Sequence, residues 1–204
     1  MMMQAKTIRV TFGALVLMLL STTALASNFS GQRGVPTILE KLVATDGAQA
    51  LVAAVLVVDG DWAFPFSLAE LLGDKREEVV LLAPTNTAFE NLLGLEPGTL
   101  DGLTIGEIED ALPSLLPPGV GVDEVAAILL KHAALPRKAN RFTASERALL
   151  AKGEIEVADE SVFPVSVGNA GVRINYETSI VEPNLFVRNG VIHFIDTVIT
   201  DSQD

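Results

Sequence analysis

Cysteine is absent from all 204 residues, which excludes disulfide frameworks, thiolate nucleophiles, iron–sulfur clusters and Cys-ligated zinc. Histidine occurs only as His132 and His193, which leaves little for a metal centre. Basic side chains are scarce as well. The 14 Lys and Arg stand against 26 Asp and Glu, a formal net charge of −12, and such a surface repels the phosphates that a nucleic-acid binder must grip. No HExxH, GxSxG, P-loop or GxGxxG pattern is present, and Asp59-Gly60-Asp61 is too short for a calcium loop, so neither an enzyme nor a cofactor is indicated. What is abundant is apolar: 49 % hydrophobic against 20 % charged residues suits one folded core and excludes generic disorder.

Lys6 and Arg9 precede an apolar run from Val10 to Leu20, followed by Ser21-Thr22-Thr23 and Ala24-Leu25-Ala26. Basic, then apolar, then small residues at the A-x-A spacing predict a secretory signal peptide over 1–26, cleaved after Ala26. The run is too short for a membrane-spanning helix, which needs about 20 apolar residues. Cleavage removes two basic side chains and all four Met, and no later apolar run is long enough to span a membrane. The mature chain is therefore expected to be acidic and free of sulfur, in the periplasm or outside the cell. Residues 27–34 read as a flexible leader and 201–204 as a polar tail, with one domain over 35–200.

Helical signals dominate the first part of that domain. Thr37 and Glu40, and again Thr104 and Glu107, have the spacing in which a hydroxyl and a carboxylate satisfy each other's orphan amides. Ala50 to Val58 is apolar throughout and predicts a helix buried on nearly all sides, broken by Asp59-Gly60-Asp61. Ser67 opens a short helix to Leu72, and Thr85 or Asn86 opens another carrying Phe89, Leu92 and Leu93. The Thr104 helix is expected to end near Pro113. Asp123 is the expected cap of a helix whose stripe Val125, Ile128, Leu129 and His132 faces the core. A last helix follows Thr143–Glu146 and stops at Gly153.

Val79 to Leu82 reads as a buried strand, and after Gly153 short alternating runs predict strands at 154–157, 162–167, 171–175, 178–181, 185–188 and 191–199. Asn189-Gly190 predicts a type I′ hairpin turn, with Arg188 opposite Val191 and Phe186 opposite His193. Helices first and strands last make an α+β domain.

VVLLAPTNTAF (79–89), with Ala83, Pro84, Thr85, Asn86 and Phe89, resembles the first signature of the fasciclin (FAS1) domain family. NGVIHFIDTVI (189–199), with Asn189, Gly190, His193 and Asp196, resembles the second. ILLKHAAL (128–135) is similar to the family's Tyr-His segment, with Lys131 in the Tyr position, and TILEKL (37–42) also fits. The resemblance implies a wedge-shaped β-sandwich with an N-terminal helical layer and the two signature strands side by side. It also suggests that His193 hydrogen-bonds near Thr85 or Asn86. The stretches 60–66 and 113–122 are longer than usual for the family.

The function implied by the resemblance is a secreted adhesion or matrix-interaction module whose partner is an extracellular or cell-surface macromolecule. A carrier of a hydrophobic small molecule of carotenoid or lipid type is the alternative. Glu182-Pro183-Asn184-Leu185-Phe186 is similar to the Glu-Pro-Asp-Ile-Met segment of some integrin-binding matrix proteins, but Asn184 replaces the metal-coordinating Asp. Trp62, Phe64 and Phe66 form a second candidate interaction surface or pocket wall. His132 and His193 both read as packed, structural histidines.

Overall fold

A computed structural model describes residues 34–60, 67–135, 145–168 and 171–200, apart from the side chains of 146 and 147. The expected signal peptide, the leader up to residue 33, Trp62, Phe64, Phe66 and the tail 201–204 lie outside the described residues.

Helix α1 (Ile38–Val43) starts at the Thr37–Glu40 box, in which the Glu40 carboxylate accepts the Thr37 N–H at 2.8 Å. Helix α2 (Gln49–Gly60) buries Ala50 through Val55 and Val58, as an apolar run with no polar stripe must. It does not break at Asp59. That residue stays in the last turn, and its carboxylate accepts the Leu68 and Ala69 N–H groups at 2.7 and 2.8 Å, capping α3 (Leu68–Gly73).

Strand β1 (Val79–Pro84) is wholly buried and leads into α4 (Asn86–Leu93), where Thr85 Oγ1 accepts the Ala88 N–H. Helix α5 (Ile105–Leu115) uses the Thr104–Glu107 box and runs through Pro113 to Leu115. The proline removes one intrahelical bond near the end of the helix, and the turn is already closing there. Helix α6 (Val122–Leu130) begins at Gly121, whose N–H donates to Glu124 Oε2 at 2.8 Å, so Asp123 lies inside the first turn and does not cap it. The helix stops before His132. Helices α1, α3, α4, α5 and α6 all pack on α2.

Strand β2 is the two-residue piece Ala133–Ala134, and α7 (Glu146–Lys152) follows an N-cap at Ser145. Then come β3 (Glu154–Glu156), β4 (Val162–Gly168), β5 (Gly171–Ile174), β6 (Thr178–Val187) and β7 (Gly190–Ile195). The expected strands 178–181 and 185–188 are one strand, β6. It keeps pairing with β7 across Glu182-Pro183-Asn184 by inserting extra residues, shown by register shifts between Ile180 and Glu182 and between Glu182 and Leu185.

The seven strands of the described residues form one mixed sheet in the order β2-β1-β7-β6-β5-β4-β3, in place of the two packed sheets of the expected sandwich. The sheet nearly closes on itself. Just past β3, the Ala158 N–H donates to the Ala133 carbonyl of β2 at 2.7 Å. Next to it, Lys131 Nζ and Asp159 Oδ2 form an ion pair at 2.7 Å. Inside lies an apolar core cluster that includes Val80, Leu82, Phe163, Ile174, Val191 and Ile195.

The β6–β7 turn also differs from expectation. Val187 pairs with Gly190 and Phe186 with Val191, two residues out of the predicted pairing, so the two-residue loop is Arg188-Asn189, one position earlier than expected. Neither has positive φ, which excludes the type I′ turn. A left-handed pair occurs instead at Asn175 (φ 50°) and Tyr176 (φ 61°), between β5 and β6.

Candidate functional site

The two signature stretches meet in the middle of the sheet. Strand β1 runs parallel to β7 with Val79 opposite Gly190, Leu82 opposite His193 and Pro84 opposite Ile195. Gly190 has φ 154°, and any Cβ there would collide with the Val79 carbonyl. Only glycine permits that approach.

Asn189 is buried and serves three elements. Its Oδ1 accepts the Ile38 N–H at 2.8 Å, and its Nδ2 donates to the Leu72 and Asp74 carbonyls at 2.9 and 3.1 Å. One amide thus satisfies the start of α1 and the end of α3, positions where helices leave backbone groups unpaired. Its own carbonyl accepts the Val79 N–H at 3.0 Å. Asn86 does similar work from the first signature: Oδ1 accepts the Ala50 N–H at 3.0 Å and Nδ2 donates to Gln49 Oε1 at 2.9 Å. Asp196 Oδ1 accepts the Ser179 N–H at 2.8 Å, tying the end of β7 to β6.

His193 is fully buried, and the partner shown for its Nδ1 is the Asn184 N–H at 3.3 Å, not Thr85 or Asn86. Asn184 stands at φ 62° in the β6 bulge. The bulge turns its N–H toward the imidazole. Beside it, Glu182, Pro183 and Phe186 are exposed while Asn184 and Leu185 are half-buried.

His132 follows α6 and is also buried. Its Nδ1 lies 2.7 Å from the Ile128 carbonyl and must donate to it, so Nε2 is the acceptor for the Ile199 N–H at 2.9 Å. This arrangement requires the neutral ring. Burial pulls its pKa down to about 4, against the opposing pull of the Ile128 carbonyl, and the Lys131 charge adds to the drop. No cluster of three or more His, Asp or Glu suited to a metal occurs among the described residues.

An apolar cleft of about 100 Å³ lies between the helices, lined by Ala54 of α2, Phe89, Leu92 and Leu93 of α4, Leu112 of α5, and Val125, Ile128 and Leu129 of α6. Leu116, Pro117 and Val120 of the 113–122 stretch complete the lining. From sequence Ala54 belongs to the buried apolar run, Phe89, Leu92 and Leu93 to a helix, and Val125, Ile128 and Leu129 to a core-facing stripe. The gap they leave depends on how four helices meet, which no local spacing encodes. Phe89 is the one signature residue that reaches it.

The Fasciclin domain model matches residues 66–201. The chain belongs to the fasciclin domain family. Among solved structures it is similar to a FAS1 domain pair from the insect cell adhesion molecule fasciclin I, with 16 % identity and a TM-score of 0.58. The match covers 82 % of this chain and 52 % of that one, so this fasciclin chain spans about half the length of its solved relative. No curated protein sequence matches it. Fasciclin domains occur in extracellular or surface proteins and are associated with adhesion-type interaction modules, generally without enzymatic activity. Among the described residues, no helix is long and apolar enough to cross a membrane.

Proposed function

We propose that the chain is exported and acts as a non-enzymatic, adhesion-type interaction module for an extracellular or cell-surface macromolecule. The observation that carries this reading is how the signature polar groups are used. Asn86, Asn189, Asp196 and both imidazoles are bonded to backbone groups in the interior or at its margin, so their work is to hold a frame. A frame fixed in this way can present exposed side chains, among them Glu182 and Phe186, with little backbone left to order on binding.

The helical cleft does not favour the carrier alternative. At about 100 Å³ it is smaller than the roughly 300 Å³ at which ligand pockets begin, so a carotenoid or an intact lipid does not fit there.

Two measurements test the proposal. The exported protein should begin at Ser27 by mass spectrometry, and beads coated with it should retain intact cells or matrix of the source organism over albumin-coated beads. An intact Met1 on protein held inside the cell, together with no retention, contradicts it.

A further inference from the structure

The cleft between α2, α4, α5 and α6 has an entirely apolar lining, and Leu92 at its edge is 41 % exposed. The four helices that line it carry charged side chains of one sign only. From Glu77 to Leu130 the chain carries ten acidic side chains and no Lys or Arg. Glu107 and Glu124 are engaged as helix caps, and Glu90 is buried against backbone amides. Glu109, Asp110 and Asp123 enter no ion pair among the described residues. Glu109 precedes the cleft residue Leu112 by three positions on α5 and so shares its face. Burial raises its carboxyl above the ordinary value, and the Asp110 charge raises it further. Asp123 is exposed in the first turn of α6, the helix that carries the cleft residues Val125, Ile128 and Leu129.

We propose that this cleft receives one apolar side chain of a basic amphipathic segment of a partner protein, whose Lys and Arg meet Glu109, Asp110 and Asp123. The proposal deepens the interaction-module reading and rests on it. Size sets the anchor: a cavity of roughly 150 Å³ holds a single benzene, so about 100 Å³ suits one aliphatic side chain. Charge sets its surroundings. An anionic membrane or a second copy of this acidic chain would be repelled from the same face, whereas a cationic segment is drawn to it.

The test is calorimetric titration of the exported protein with three peptides of about 18 residues: Leu on one face and Lys on the other, Leu with Glu, and Ser with Lys. Only the Leu/Lys peptide should bind, and more weakly at about 0.3 M than at about 0.05 M salt. The triple variant Glu109→Gln, Asp110→Asn, Asp123→Asn should bind it roughly tenfold more weakly, as should Leu92→Asn, with unchanged urea midpoints as the check on folding. Equal binding of the Leu/Glu or Ser/Lys peptide overturns the proposal, as does unchanged affinity in folded variants. A dimer, or binding of a free apolar dye, that Leu92→Asn abolishes would assign the cleft to another occupant and overturn it too. If the Leu/Lys peptide does not bind but coated beads still retain cells, this surface is wrong and the module reading stands. Failure of both removes both.

Discussion

Asn189 and Ile38 are 151 positions apart, yet the Asn189 side chain accepts the Ile38 backbone N–H at 2.8 Å in the interior. The same amide donates to two carbonyls at the end of α3. Removing it strands several buried groups at once, and each unsatisfied group costs about 1–3 kcal/mol. Asn189→Ala is expected to lose about 3 kcal/mol or more in urea unfolding followed by far-UV circular dichroism. Asn189→Asp keeps the acceptor for Ile38 but faces two carbonyls with no donor, and should also be destabilised. An unchanged midpoint in either would refute the latch.

Gly190→Ala tests the β1–β7 seam. A methyl group there meets the Val79 carbonyl, and φ 154° is a region essentially closed to other residues. The variant is expected to lose at least about 2 kcal/mol or to be recovered only from inclusion bodies. A soluble variant of normal stability would mean that the two signature strands do not approach this closely.

His132 predicts acid sensitivity. Its neutral ring is needed in the fold, and its pKa is about 4 when folded against 6.5 for the free side chain. Between those values the unfolded chain binds more protons, so stability is complete above about pH 6.5 and falls toward pH 4, by about 3 kcal/mol in all. Asp159 acts lower. Burial would raise its carboxyl, but bonds from Lys131 and Ser161 outweigh that and hold it below 3.8. Its contribution is therefore present above pH 3.8 and lost as the pH falls below that value. Urea midpoints across pH 7.5 to 4.5 should slope in the native chain and flatten in His132→Gln, which starts from a lower plateau. Equal slopes would contradict this assignment.

Glu90 makes a separate local prediction. It is buried, and its two oxygens accept the Gly98 and Leu100 N–H groups at 2.9 and 2.8 Å, folding the α4–α5 connection. Glutamine has one acceptor, so Glu90→Gln leaves one amide unpaired. The expected loss is about 1–3 kcal/mol, with faster hydrogen exchange at Gly98 or Leu100. Unaltered exchange at both would count against the latch.

Local signals were legible in the sequence where a few neighbouring residues decide the outcome. The boxes at Thr37–Glu40 and Thr104–Glu107 need only four residues each, and the apolar run of α2 announces its own burial. Errors arose where distant partners decide. Asn-Gly favours a type I′ turn locally, but the Asn189 side chain is committed to α1 and α3, and the loop moves back by one residue. Glu182-Pro183-Asn184 has turn composition, yet bulges carry β6 through it. Strand β2 has only two residues and no periodicity, so the bond from Ala158 that draws the sheet toward closure had no local signature. The candidate site follows the same division. Signature residues are visible as motifs, whereas the cleft exists only where α2, α4, α5 and α6 meet.

The central claim is that buried signature residues hold the frame while exposed acidic helices do the binding. Urea midpoints and Leu/Lys peptide affinity, measured below the unfolding range on Asn189→Ala and on the triple variant at Glu109, Asp110 and Asp123, separate the two roles in one experiment. The account predicts a lowered midpoint with native affinity for the first, and a native midpoint with roughly tenfold weaker binding for the second. The reverse pattern, or loss of binding in a folded Asn189→Ala protein, would contradict it.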